Sequence, residues 1–163
     1  MALDTNAALL GRVPLFDGLT QEQLLAIIAK SKKTFFEADE ILTRAGEAGD
    51  TAHLILSGAA VTQPPEGEEY GPVRLEAGAF AGELAMLVET AYVLTIVAQE
   101  RVRALAISRK DLLEVMEADP SIAHHFAEKL IDRLAALAHD LRAVDAKFAV
   151  LEATLDEAIA AAC

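Results

Sequence analysis

The sequence predicts an α+β fold: an antiparallel β jelly roll preceded by helices and followed by one long helix. Three observations carry that prediction. Between Lys33 and Ser108 about eight short β-prone runs follow one another, broken by glycine-rich turns, with no strand–helix–strand alternation. Thr20 with Gln23, and Ser108 with Asp111, have capping-box spacing on either side of that region. From Pro120 onward the chain contains no glycine or proline, and its large apolar residues recur at alternating spacings of 4 and 3.

Taken in order, residues 1–30 read as helical, with Leu9, Val13, Leu15 and Phe16 clustered around Pro14. Leu24, Leu25, Ile27 and Ile28 form the buried side of the helix that Thr20 caps. The β-prone runs include Thr34–Phe36, Ile41–Arg44, His53–Leu56, Ala60–Gln63, Val73–Leu75, Tyr92–Ala98 and Val102–Ile107. A polar loop from Pro64 to Gly71 interrupts them. Within this region, in the stretch Phe80–Leu87, a glycine turn opens a short helix with Glu83 in its first turn, and the first main-chain N–H groups of that helix lack intrahelical partners and can face an anion. Asp119-Pro120 then pairs an N-cap residue with proline at the first helical position, which starts the last helix. On that helix Leu130, Leu134, Leu137, Leu141, Val144, Phe148, Leu151 and Leu155 form an unbroken a/d seam, the pattern of a coiled coil. The domain boundaries expected are 1–118 for the β-rich part and 119–163 for a dimerisation helix.

Four segments, in this order, resemble the cyclic nucleotide-binding domain family, which includes the catabolite activator proteins. Pro14–Leu19 is similar to its opening segment, and Gly46–Asp50 with Leu54–Gly58 to its first hairpin pair. Ala77–Ala85 is similar to the lead into its phosphate-binding cassette. The resemblance implies a double-stranded β-helix, a ligand site at Gly82, Glu83, Leu84, Ala85, Tyr92 and Val93, and a role for Glu83 in holding a ribose hydroxyl. In that family an arginine for the cyclic phosphate stands nine residues after this glutamate, followed by Ser or Thr. Here those positions are Tyr92 and Val93. Tyrosine offers one neutral hydrogen bond where arginine offers a charged fork. Losing a charge-assisted contact costs about 1.5–3 kcal/mol. Arg74 and Arg101 are the alternative sources of positive charge.

Composition narrows the function classes. The formal net charge is −12, and segment 119–163 carries eight acidic and four basic residues. That charge disfavours direct DNA binding, which needs a basic footprint. No run of 18 apolar residues suggests a membrane span, and the first residues lack an export signal, so a cytoplasmic location is expected. The lone cysteine, Cys163, allows no intrachain disulfide and no cysteine-cluster metal site. His53, His124, His125 and His139 show no metal-ligand spacing, and no nucleophile elbow or phosphate loop is present. His53 reads as a packed strand residue. Glu83 has two readings: a ligand contact, or a carboxylate favourable at a helix start by about 0.3–1 kcal/mol.

The reading is a non-enzymatic regulatory module, dimerising through its last helix and acting through a protein partner, with its cyclic-phosphate site degenerate. No cofactor is expected beyond a cyclic nucleotide or another small anionic ligand. The alternatives are a working sensor of such a ligand and a transcription-regulator subunit that depends on a DNA-binding partner. In the activator family a winged helix-turn-helix follows the dimer helix, and too few residues follow Leu155 to form one.

Overall fold

A computed structural model describes residues 2–162. The lone cysteine therefore lies outside the described residues. The chain divides into two compact units, with the second beginning at Phe126.

The first unit opens with α1 (Ala2–Leu10) and α2 (Gln21–Lys30). The stretch between them is not helical, contrary to the expectation for residues 1–30. Turns carry the chain through Gly11, Pro14 and Gly18, and they bury Val13, Leu15 and Phe16. Proline lacks an N–H and Gly18 takes φ 102°, so a continuous helix is excluded there. At the start of α2 the capping box closes in both directions. Thr20 Oγ1 accepts from Gln23 N–H at 3.2 Å, and Gln23 Oε1 accepts from Thr20 N–H at 3.0 Å. The Gln23 amide nitrogen also donates to Asp119 Oδ2 at 3.1 Å and Ser121 Oγ at 2.8 Å.

Ten strands follow among the described residues, all in antiparallel pairs. The first four-stranded sheet has the order β1 (Lys32–Phe36), β10 (Val102–Ser108), β4 (Thr51–Ser57), β7 (Phe80–Ala81). The second has the order β2 (Ile41–Thr43), β9 (Thr95–Ala98), β5 (Ala60–Gln63), β6 (Arg74–Leu75). A two-residue ribbon joins β3 (Ala48–Gly49) to β8 (Thr90–Ala91). The fold is thus the expected jelly roll with additional two-residue strands. Pairs this short leave too little hydrophobic alternation to be seen in sequence.

Leu42, Ile55, Ala60, Ala81, Ile96, Ala98, Val102 and Ala104 form a core shared by the two sheets. Side chains alternate along a strand, so Leu105 and Ile107 lie on the opposite face of β10 from Val102 and Ala104. They too are buried, beneath α2 and α4 (Arg109–Ala118). β10 is therefore a central strand covered on both sides, which explains its nearly continuous apolar sequence.

Ser108 caps α4 by accepting from Asp111 N–H at 3.1 Å. The reciprocal half of the box differs from expectation: the Ser108 hydroxyl donates to Asp111 Oδ2 at 2.8 Å. Aspartate is one methylene shorter than glutamate and engages the hydroxyl instead of the N-cap N–H. The last helix, α5 (Pro120–Ala162), begins where Asp119-Pro120 predicts, with Asp119 Oδ1 accepting from Ser121 N–H at 3.1 Å. Hydrogen bonds from Ser121 and then Gln23 hold the Asp119 carboxyl below its usual pKa. α5 is 43 residues long, about 65 Å at 1.5 Å per residue.

Candidate functional site

The cavity lies where the second sheet meets the short helix α3 (Glu83–Leu87). Gly82 makes the turn into α3 in the left-handed region, φ 81°, which is strained for any residue with a Cβ. A Cβ there would stand 2.8 Å from the Thr51 carbonyl oxygen and 3.1 Å from Tyr92 Cε1. Glycine is thus required both by the turn and by the closeness of β4 and Tyr92.

The structure brings Gly82, Glu83, Leu84, Ala85, Tyr92 and Val93 together as walls of one cavity of about 260 Å³. The remaining lining residues include Leu75, Phe80, Leu94 and Ile96, with Thr43 and Thr62 at its base. The Thr43 hydroxyl donates to the Leu94 carbonyl at 2.8 Å, and Thr62 Oγ1 accepts from Val73 N–H at 2.8 Å. Val93 is 68% exposed and Leu84 44%, which places apolar surface at the opening.

Tyr92 is held at both ends. Its N–H donates to the Glu47 carbonyl at 2.9 Å, and its carbonyl accepts from Gly46 N–H at 2.9 Å. Its hydroxyl donates to the Thr51 carbonyl at 2.8 Å. The ring lies directly against Gly49, where an added Cβ would be 2.4 Å from Tyr92 Cζ. Burial raises the phenol above its usual pKa, so Tyr92 enters the site as a neutral group. Residues 92–94 do not continue the strand, contrary to the expected run Tyr92–Ala98. Regular pairing resumes at Thr95, because Tyr92 bonds back to the loop around Gly46 and Leu94 receives the Thr43 hydroxyl.

Neither alternative arginine lines the cavity. Arg74 Nε is 2.7 Å from Glu76 Oε1, and its Nη1 donates to Gln99 Oε1 at 2.9 Å. Arg101 pairs with Glu37 at 3.3 Å and stands 5.4 Å over the Phe35 ring. Sequence reasoning passed over Arg109, the first residue of α4. Its Nη2 donates to Ala85 O at 2.9 Å and Gly49 O at 2.7 Å, and its Nε to Ala85 O at 3.2 Å. One guanidinium thereby ties α3 and β3 to the start of α4. Nothing in its sequence neighbourhood marks it, because both acceptors are main-chain carbonyls distant along the chain.

His53 is buried in β4 with its ring 5.3 Å from Phe36 in an edge-to-face contact, and its Nδ1 has no hydrogen-bond partner. Burial lowers its pKa to about 4. Among the described residues no group of three or more His, Cys, Asp or Glu is placed to hold a metal ion. No described helix is long and apolar enough to cross a membrane.

On α5 the seam residues Leu134, Leu137, Leu141, Val144, Phe148, Leu151 and Leu155 are exposed, from 45% at Val144 to 66% at Leu134, and Leu130 is half-buried. Ile131 and Ile159, also exposed, each follow a d position and widen the stripe. The seam pattern had not included them.

Residues 33–119 match the cyclic nucleotide-binding domain family, more than half of the chain. A cyclic nucleotide-gated potassium channel of Mesorhizobium japonicum is 29% identical over 133 residues, covering 82% of this chain and 36% of the channel. The chain spans about a third of the length of such channel relatives. The catabolite activator protein of Thermus thermophilus superposes with a TM-score of 0.65 at 25% identity, covering 81% of this chain and 63% of that one. The N-terminal domain of a transcriptional regulator from Streptomyces coelicolor superposes with a TM-score of 0.73 at 21% identity, covering 82% of this chain and 94% of that one. By its profile match and by this fold, the chain belongs to the cyclic nucleotide-binding domain family.

Proposed function

We propose that this chain is a non-enzymatic regulatory module in which the cyclic-phosphate site is degenerate and the α5 seam pairs with a second copy. The observation that carries the reading is Tyr92: a neutral, anchored ring occupies the position of the family's phosphate-binding arginine, and no Lys, Arg or His lines the cavity. A phosphate entering such a site gives up water without gaining an ion pair, which is costly. The exposed stripe on α5 supports pairing, since an apolar face of that length gains by burial against its like. The flanking charges leave strand direction open: in a parallel pair Lys147 meets the partner's Glu152, whereas Asp140 meets the partner's Asp145. Output then passes through a protein partner, in the cytoplasm, and not through direct DNA contact.

A second reading, a working sensor of a cyclic nucleotide or another small anion, is favoured by the cavity remaining open beside Glu83. Calorimetry separates the two. Cyclic AMP and cyclic GMP are expected to bind the unmodified chain only weakly. Tyr92→Arg with Val93→Thr restores a charged fork and a hydroxyl, and affinity should rise about tenfold or more. Micromolar or tighter binding by the unmodified chain would establish the sensor reading in place of the first.

A further inference from the structure

We infer that the cavity beside α3 receives an uncharged, mostly apolar small molecule carrying a hydroxyl group, and that it discriminates against anions. The inference rests on the reading of Tyr92 and Val93 above, and adds the class of ligand that the remaining cavity fits.

Cavity walls select by what they leave unsatisfied. Most of this lining is hydrocarbon, from Leu75, Phe80, Leu84, Leu94 and Ile96 in particular. Each threonine at its base uses one role of its hydroxyl within the protein: Thr43 donates to Leu94 O and Thr62 accepts from Val73 N–H. The Tyr92 hydroxyl is directed to Thr51 O. Glu83 is the one carboxylate in the lining. A carboxylate accepts at about four lone-pair positions, so it can take a ligand hydroxyl alongside contacts within the protein. Apolar walls with one carboxylate suit a neutral body that carries a donor.

The same lining offers an anion no cationic side chain. Arg74 is committed to Glu76 and Gln99, and Arg109 lines a separate recess with Asp50 and Glu89 while bonding Ala85 O and Gly49 O. An anion in the cavity therefore faces Glu83 with no cation in the lining. At about 30 Å³ per water, 260 Å³ holds roughly nine waters, which is room for a small aromatic alcohol.

Benzyl alcohol and benzoate share a ring and a one-carbon substituent of similar size, and differ in charge. Amide chemical shifts of the intact ¹⁵N-labelled chain are followed while each is added at equal ionic strength. Benzyl alcohol is expected to move the amides of Leu84, Ala85, Tyr92 and Val93 saturably in the millimolar range, as suits so small a ligand. Benzoate should bind about tenfold more weakly or worse. Glu83→Gln, which removes the charge and keeps the shape, should narrow that gap to a few-fold.

Equal or tighter binding of benzoate would overturn the inference. So would the absence of shifts at those amides with either probe; if cyclic AMP is silent as well, the reading of Tyr92 survives and only the ligand class fails. Micromolar cyclic AMP binding to the unmodified chain sinks the earlier reading, whatever the benzyl probes show.

Discussion

Gly49→Ala tests the seat of Tyr92 from the side the sequence does not advertise. The added Cβ would fall 2.4 Å from Tyr92 Cζ, 2.5 Å from Cε2 and 2.7 Å from Cε1, closer than carbon atoms can approach. The ring cannot yield by a small shift, because the Tyr92 main chain is pinned by Glu47 O and Gly46 N–H. It must rotate out, and two contributions go with it. The hydroxyl bond to Thr51 O is worth about 1 kcal/mol. A half-buried ring covers on the order of 100 Å², worth about 2.5 kcal/mol at 25 cal/mol per Å². Gly49→Ala should therefore destabilise by about 3 kcal/mol. In a Tyr92→Ala background the three nearest atoms are gone, and Ala in place of Gly should become neutral or stabilising by up to about 1 kcal/mol. Urea unfolding of the four proteins, at one protomer concentration because association shifts the apparent stability, gives the coupling directly. If Gly49→Ala costs as much without Tyr92 as with it, the ring does not sit where the reasoning requires.

Three further outcomes follow from other parts of the molecule. His53 is held neutral with its pKa near 4, while the unfolded chain binds a proton from about 6.5 downward, so stability is full above pH 6.5 and falls as pH drops toward 4. The loss by pH 5 should be about 2 kcal/mol, and His53→Phe should remove that part of the slope in chemical unfolding at pH 8 and pH 5. Arg109→Ala leaves Ala85 O and Gly49 O without their donors and should cost about 2–3 kcal/mol; faster hydrogen exchange confined to α3 and the β3–β8 ribbon would report it, and unchanged exchange would count against the tie. Leu141→Asp with Leu151→Asp should give a folded monomer in sedimentation, whereas an unmodified chain that is monomeric at tens of micromolar (about the range where such helix pairs persist) would refute pairing through the seam.

What was legible in the sequence was local. Thr20, Ser108 and Asp119 each mark a helix start within a few residues of themselves, and a jelly roll follows from short runs between glycine turns. Gly82 and Glu83 were legible through order and spacing along the cassette, and all six candidate residues do line one cavity. Arg109 and Gly49 were not legible, because what defines them is contact with carbonyls and a ring from other strands. The two-residue strands were lost for a related reason: Phe80–Ala81 is a strand only because β4 lies beside it. Residues 11–18 were misread since their buried apolar side chains imitate a helical face while Pro14 and Gly18 turn the chain.

The Gln23 side chain gives the start of α2 and the start of α5 a shared fate. Its carbonyl oxygen completes one cap, while its nitrogen reaches Asp119 and Ser121, almost a hundred positions away. Positions 20, 23, 119 and 121 thus form one hydrogen-bonded group. A lineage that replaces Gln23 with a shorter residue leaves two helix starts short of a partner at once. Relatives are therefore expected to change these four positions together or leave them alone, and a pairwise count across an alignment would show whether they covary.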